Sequence, residues 1–273
     1  MSAAVPLQAW IDGIGFIAPG LPDWPQARAV LRGEQAWQPA PSILPAAQAL
    51  PAAERRRASR VVKLALALGF EAAAQAQAQA DVASLRTVFA ASGADGHNCH
   101  ALCEQLAGDD RLISPTRFHN SVHNAAAGYW GIASGSMQPC QVIAAYDASF
   151  GAGLIDALGQ LAVDDEPVLL IAHDSEYPAP LHAKRPTPDC AGLALVLSPR
   201  PGPHSLAAIT LSTTGAPALA LADKGLEALR QAVPALRALP LLAALAQQQA
   251  GELVLDYLPP LQLQLVVRPV RPC

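Results

Sequence analysis

Charge is scarce in this 273-residue chain: Asp, Glu, Lys and Arg make up 15% of it, and 22 acidic against 18 basic residues leave a net charge of −4. A mildly acidic chain offers no electrostatic footprint for a phosphate backbone, so nucleic acid is excluded as the main partner. Aromatics are also sparse, at 5%. Trp10, Trp24, Trp37 and Trp130 are too scattered for a binding stripe, and core packing is their expected role. Cysteine is few and uneven: Cys99, Cys103, Cys140, Cys190 and Cys273 are odd in number and do not form a disulfide framework, which fits a reducing cytoplasm. The opening MSAAVPLQAWIDGIGFIAPG lacks a basic stretch and meets Asp12 and glycines early, so no signal peptide is expected. Residues Phe118 to Tyr146 carry no formal charge, yet Asn120, Asn124, Gly128, Gly131, Gly135 and Pro139 punctuate them, and no membrane insertion is expected.

What the chain has is apolar surface. A 52% hydrophobic share in this length implies one sizeable α/β domain with an appendage, part of its surface buried against another subunit. LQAWIDGIGFIAP reads as a first strand ending in a glycine turn, and DWPQARAVLRG as a short helix. From Arg57, Val61, Leu64, Ala65 and Leu68 keep the spacing of one helical stripe, which the Ala/Gln-rich run extends to Ala80. LRTVFAAS reads as a buried strand and His100 to Ala107 as a helix. CQVIAAY reads as a buried strand, SFGAGLIDALGQLA as a helix, and EPVLLIAHDSE and AGLALVLS as two more strands. That alternation predicts a mostly parallel sheet covered by helices, because parallel crossovers need a connecting helix. Past Gly215, Pro234 and Pro240 interrupt an Ala/Leu-rich helical stretch, and LQLQLVV alternates as a half-exposed strand does.

Three groups carry candidate chemistry. HNCHALC sets His97, Cys99, His100 and Cys103 close together, but without the paired spacing of a zinc site, so two ordinary thiols at a helix start are expected, with no metal and no cofactor. ERRR with Arg60 makes a basic patch suited to an acidic partner or to plain solvation. The third is the corner in CQVIAAYDASFGAGLIDAL, where a strand turns into a helix start and many α/β enzymes mount a nucleophile. It offers Asp147, Ala148 and Ser149. A carboxylate is comfortable at a helix start, and a serine there caps helices more often than it attacks carbonyls.

Several stretches in order resemble the N-terminal half of the β-ketoacyl synthases, thiolase-fold condensing enzymes. WIDGIGFIAP is similar to the family's opening strand, RASRVVKLALALGFEAA to its first long helix, and VFAASGADG to its glycine-ended second strand. SPTRFHNSVHNAAAGYWGIASGSMQPCQVIAAYDAS resembles the segment leading to the nucleophile, and VLLIAHDSEY and CAGLALVLS the strands beyond it. The resemblance spans roughly residues 7 to 215 and implies a thiolase-like layered α/β/α fold, N-terminal half only, over residues 1–215, with a divergent extension over 216–273 packing on it. Ungapped counting puts the family's nucleophilic cysteine at Asp147, where a carboxylate is a poor acyl carrier. The family's two second-half histidines have no counterpart after residue 215.

The resemblance therefore implies a subunit without activity of its own, of the chain-length-factor type found with aryl polyene and xanthomonadin-like pigment clusters. Its implied partner is a complete ketosynthase in a heterodimer contacting residues 120 to 146, with an acyl carrier protein as a further contact and a homodimer when the chain is alone. Two rivals stay open: a thiolase-fold acyltransferase or decarboxylase using Asp147, Ser149 or His123, the last beside Asn124 at the pocket or bonded within a packed loop, and a plain scaffold.

Overall fold

The computed structural model describes residues 7–77 and 79–270; the first six residues of the supposed non-signal opening, and Cys273, lie outside them. In chain order the elements are β1 (Leu7–Ile17), α1 (Trp24–Leu31), α2 (Ala52–Arg57), α3 (Arg60–Gln75), β2 (Arg86–Ala90), α4 (Gly96–Ala107), α5 (Pro115–His119), α6 (Ala125–Ser134) and β3 (Cys140–Ile143). There follow α7 (Ser149–Asp164), β4 (Val168–Asp174), β5 (Ala191–Ser198), β6 (Ala207–Thr214), α8 (Lys224–Ala232), α9 (Leu239–Ala246), β7 (Gly251–Leu258) and β8 (Leu261–Pro269). The strands form one eight-stranded sheet in the order β3-β2-β4-β5-β1-β6-β8-β7.

The sheet is mixed, not mostly parallel. Only β2 pairs in parallel, with β3 and with β4; the other neighbours run antiparallel. The cause is the connection after Asp174, which holds a short 3₁₀ turn at Leu181–Ala183 and no crossover helix, so β5 returns beside β4 in the opposite sense. Layering is as expected, with an apolar cluster on each face. One, around Leu64, Leu68, Tyr129 and Trp130, lies under α3 and α6; the other, around Phe150, Leu154, Leu158, Leu241 and Leu242, lies under α7 and α9.

Close approach of α3 to β1 depends on glycine: a Cβ on Gly15 or Gly13 would stand 2.1 Å from the Leu68 or Ala72 carbonyl oxygen. Ser59 caps α3 by accepting from the Val62 amide. That helix stops at Gln75, short of Ala80, because the chain turns left-handed at Gln77 (φ 54°) and continues as a 3₁₀ turn over Gln79–Ser84. α4 starts at Gly96, ahead of His100, since the Asp95 carboxylate accepts from the Asn98 amide. Pro234 and Pro240 open a 3₁₀ turn and α9 respectively, where a missing amide is harmless. In β8 the alternation is as read, with Leu263, Leu265 and Val267 buried.

CQVIAAY is not a buried strand. Its paired part, β3, is the sheet's edge, bonded to β2 alone, with Cys140 and Gln141 exposed and Val142 and Ile143 half-buried. Among the described residues, no helix is long and apolar enough to cross a membrane.

Candidate functional site

The corner after β3 lies at the C-terminal ends of β2, β3 and β4. Ala145 leads into a 3₁₀ turn over Tyr146–Ala148, and α7 begins at Ser149. Tyr146 takes φ 53°, in the left-handed region, so the bend is held against a backbone preference. Ser149 holds it: its buried hydroxyl donates to the Tyr146 carbonyl oxygen at 2.7 Å and accepts from the Ala145 amide at 3.0 Å. With its proton committed to that carbonyl, Ser149 is a brace for the turn and not a poised nucleophile.

Asp147 does not cap α7. The cap residue is Ala148, without a side-chain bond, while the Asp147 carboxylate accepts from Arg185 at 2.8 Å and lies 4.0 Å from Arg237. Arg185 reaches in from the segment between the 3₁₀ turn and β5, and its guanidinium also lies 4.0 Å from the centroid of the Tyr146 ring. Arg237 pairs in turn with Asp256 of β7 at 3.2 Å, Asp256 with Arg230, and Arg230 with Glu227 at 2.7 and 2.8 Å. A chain of ion pairs thus runs from the corner through the C-terminal segment. Its inner end is well buried: the Arg230 side chain is 6% exposed. The Arg230 hydrogen bonds, against the effect of burial, bring the Glu227 carboxyl down to about 2.

Beside the corner, β4 ends in two buried titratable groups, His173 and Asp174. Burial lowers His173 to about 4, with His123 nearby adding to the effect. Burial pushes Asp174 up to about 6, although the Ser92 hydroxyl and amide and the Ala235 amide (2.8 Å) donate to it. Asp174 therefore ties the loop after β2 to the C-terminal segment. His123, half-buried, places Nε2 3.1 Å from the Ala91 carbonyl oxygen, the packed-loop arrangement. Asn124 is exposed at the start of α6 with no side-chain cap bond. Among the described residues, no hydrogen bond joins Asp147, Ser149 and His123 to one another, so no relay for proton transfer is assembled.

The other candidates separate. His97 lies 3.5 Å from Glu176, His100 3.2 Å from Glu104, and Cys99 donates to the Ser121 carbonyl, so HNCHALC points to three different places. Glu176, Asp189 and Cys190 come within 4.8 Å of one another, a set a metal could use. Arg60 sits among them, 3.2 Å from Glu176 and bonded to Asp189, so an arginine already supplies the positive charge. Burial, with Glu176 adjacent, pushes the Cys190 thiol up to about 12, so a metal there would have to displace a tightly held proton. Of the basic patch, Arg57 pairs with Glu54 and Arg55 with Gln48, while Arg56 and Arg117 line an open cleft of about 800 Å³. Trp24 and Trp130 are buried, the latter 4.9 Å from Phe70.

Sequence reasoning missed Arg185, Arg237 and Asp174. A charged residue ending the apolar run VLLIAHD was a legible signal for Asp174; the two arginines stand in segments without pattern.

The model of the β-ketoacyl synthase N-terminal domain matches residues 24–254. The chain belongs to that family. Among solved structures, this β-ketoacyl synthase domain is similar to a ketosynthase (ApeO) in complex with its chain length factor (ApeC) from Xenorhabdus doucetiae: 21% identity, 95% of this chain and 99% of that chain covered, TM-score 0.71. It is also similar to the ishigamide ketosynthase/chain length factor, at 14% identity, with 97% and 100% covered and a TM-score of 0.66. A type II polyketide synthase acyl-carrier protein in complex with its ketosynthase matches at 14% identity, 78% and 71% covered, TM-score 0.60. No curated protein matches. At these identities the likenesses establish the thiolase-like ketosynthase fold.

Proposed function

We propose that this chain is a non-catalytic, chain-length-factor-type subunit that pairs with a complete β-ketoacyl synthase in polyene or fatty-acid-like biosynthesis. The observation that carries the reading is the corner itself: where an acyl carrier would stand, Asp147 is bound to Arg185, and Ser149 is committed to the turn. A carboxylate held by a guanidinium is a counter-ion, not an acyl acceptor. That disfavours an acyltransferase or decarboxylase built on Asp147, Ser149 or His123. In this reading residues 1–215 are the ketosynthase-like body, and the extension over 216–273 meets it through the β6–β8 pairing and the Arg237–Asp147 contact.

Against a plain scaffold stands the surface around β3. Its outer edge presents unpaired backbone groups, and the same uncharged run exposes Phe118, Val122, Ile132 and Met137. An apolar edge of this kind invites strand pairing unless a partner covers it. We assign it to the ketosynthase, with an interface on the order of 2,000 Å². An acidic carrier protein is the second partner in this reading, suited to the cleft that Arg56 and Arg117 line.

Co-expression with a candidate complete ketosynthase, followed by light scattering, tests the pairing. A 1:1 complex is expected, and Ile143→Asp should dissolve it, since a buried unpaired charge costs several kcal/mol. Separate elution, with a ketosynthase fully active alone, would refute the reading.

A further inference from the structure

The corner retains a strained bend and a set of braces although it mounts no nucleophile, and the large apolar side chain it delivers to the surface is Tyr146, 66% exposed. A non-glycine residue at φ 53° persists only where its surroundings over-determine it. Here they do so from three sides. Ser149 grips the backbone on both sides of the bend, by the Ala145 amide and the Tyr146 carbonyl. Arg185 lies against one side of the ring. Asp147 in turn holds Arg185, whose own side chain is only 16% exposed.

From this arrangement we propose that Tyr146 is the anchor by which the chain docks on its ketosynthase, with Asp147 and Arg185 as positioning residues that hold the ring in its docked orientation beforehand. The proposal rests on the pairing argued above and adds a residue to it. Three features carry it. An exposed tyrosine with its ring already stacked loses little freedom on binding, and tyrosine is among the residue types that dominate interface energies. Its place in the chain is three residues beyond the end of β3, so a partner strand laid along that open edge reaches the residues after Ile143. Lastly, it closes the uncharged run that exposes Phe118, Val122, Ile132 and Met137, giving an apolar surface an amphipathic aromatic at its margin. The ring takes an apolar or aromatic side chain of the ketosynthase, and its hydroxyl stays at the wet rim. Asp147 then has a role that does not descend from acyl transfer: it is the counter-ion that keeps Arg185 against the ring.

The test uses the co-expressed complex, with Tyr146→Gly and Tyr146→Phe beside the wild type. Glycine adopts φ 53° freely, so the bend survives while the ring is lost; phenylalanine keeps the ring. Affinity from interferometry should fall by about tenfold or more for Tyr146→Gly and by less than about threefold for Tyr146→Phe. The melting temperature of each isolated variant should stay within about 3 °C of wild type. If the wild type pairs and Tyr146→Gly pairs equally well, the anchor is refuted and the pairing stands. If Tyr146→Gly melts far earlier and loses affinity with it, the ring is a folding element and the proposal is also refuted. A wild type that does not pair removes the function proposed above, and the anchor with it.

Discussion

Replacing Arg230 by methionine removes the inner arginine of the ion-pair chain while keeping the apolar stem. In the wild type the guanidinium holds Glu227 through bonds of 2.7 and 2.8 Å and also bonds Asp256. After substitution Asp256 keeps Arg237 at 3.2 Å, and Glu227 keeps the Leu221 amide at 2.9 Å and Gln231 at 2.7 Å. Glu227 is nonetheless left 15% exposed without its cation. Its fall from 4.5 to about 2, owed first to Arg230, corresponds to about 3 kcal/mol at about 1.4 kcal/mol per pH unit. Breaking a buried pair costs about 3–5 kcal/mol, and the partners that Glu227 keeps reduce this, so about 2–3 kcal/mol is expected at pH 7. A depressed carboxyl contributes its stability fully above pH 4.5 and loses it as the pH falls toward 2. The difference between wild type and variant should therefore narrow steadily below pH 4.5. Urea unfolding followed by far-UV circular dichroism at pH 7, 4.5 and 3 measures it. A difference under about 0.5 kcal/mol at pH 7, or one that does not shrink by pH 3, would show that the pair carries no such energy.

Burial, only partly offset by amide bonds from Phe16 and Trp24, pushes Glu71 up to about 7, so the folded chain holds that proton more tightly and stability declines as pH rises from 4.5 through 7. Glu71→Gln should flatten the stability profile across that window, and parallel profiles would contradict it. A Cβ at Gly69 would stand 2.5 Å from a carbon of the buried Trp130 ring and 2.9 Å from Ile171, so Gly69→Ala should cost about 1–3 kcal/mol despite alanine's better helix propensity; a raised melting temperature would disprove this. Incubation with acyl-carrier thioesters should leave no adduct on the isolated chain by intact-mass spectrometry, and Asp147→Cys alone should not condense substrates. A stable adduct on Ser149 or any cysteine, or turnover by that variant, would overturn the subunit reading.

Much of the fold was legible because its elements report locally. The stripe Val61, Leu64, Ala65 and Leu68 and the alternation in LQLQLVV each state a face within a few residues. Strand direction is not local. Whether β5 runs with or against β4 depends on the segment over 175–190 carrying no helix, and an irregular stretch has no period to read. The edge position of β3 does not follow from its residues alone, since an uncharged strand looks the same whether its own sheet or another chain is to cover it. At the corner, Asp147 and Ser149 could be named from the strand-to-helix pattern. Their partners could not: Arg185 and Arg237 lie 38 and 90 positions downstream of Asp147, in turns with no periodicity. A charged residue on a turn reads as solvated until the fold supplies its opposite.

The unequal ends of the sheet limit how many neighbours the molecule can take. At the β7 end the strand carries Glu252 and Asp256, and the Val254 carbonyl is already taken by the Leu219 amide from a segment of the same chain. At the β3 end the backbone is open. A sheet with two open ends can add chains without limit and grow a fibre, whereas one with a single open end has a valence of one. Strand pairing through β3 is therefore expected to add one chain along the sheet and to leave no equivalent edge from which a fibre would grow.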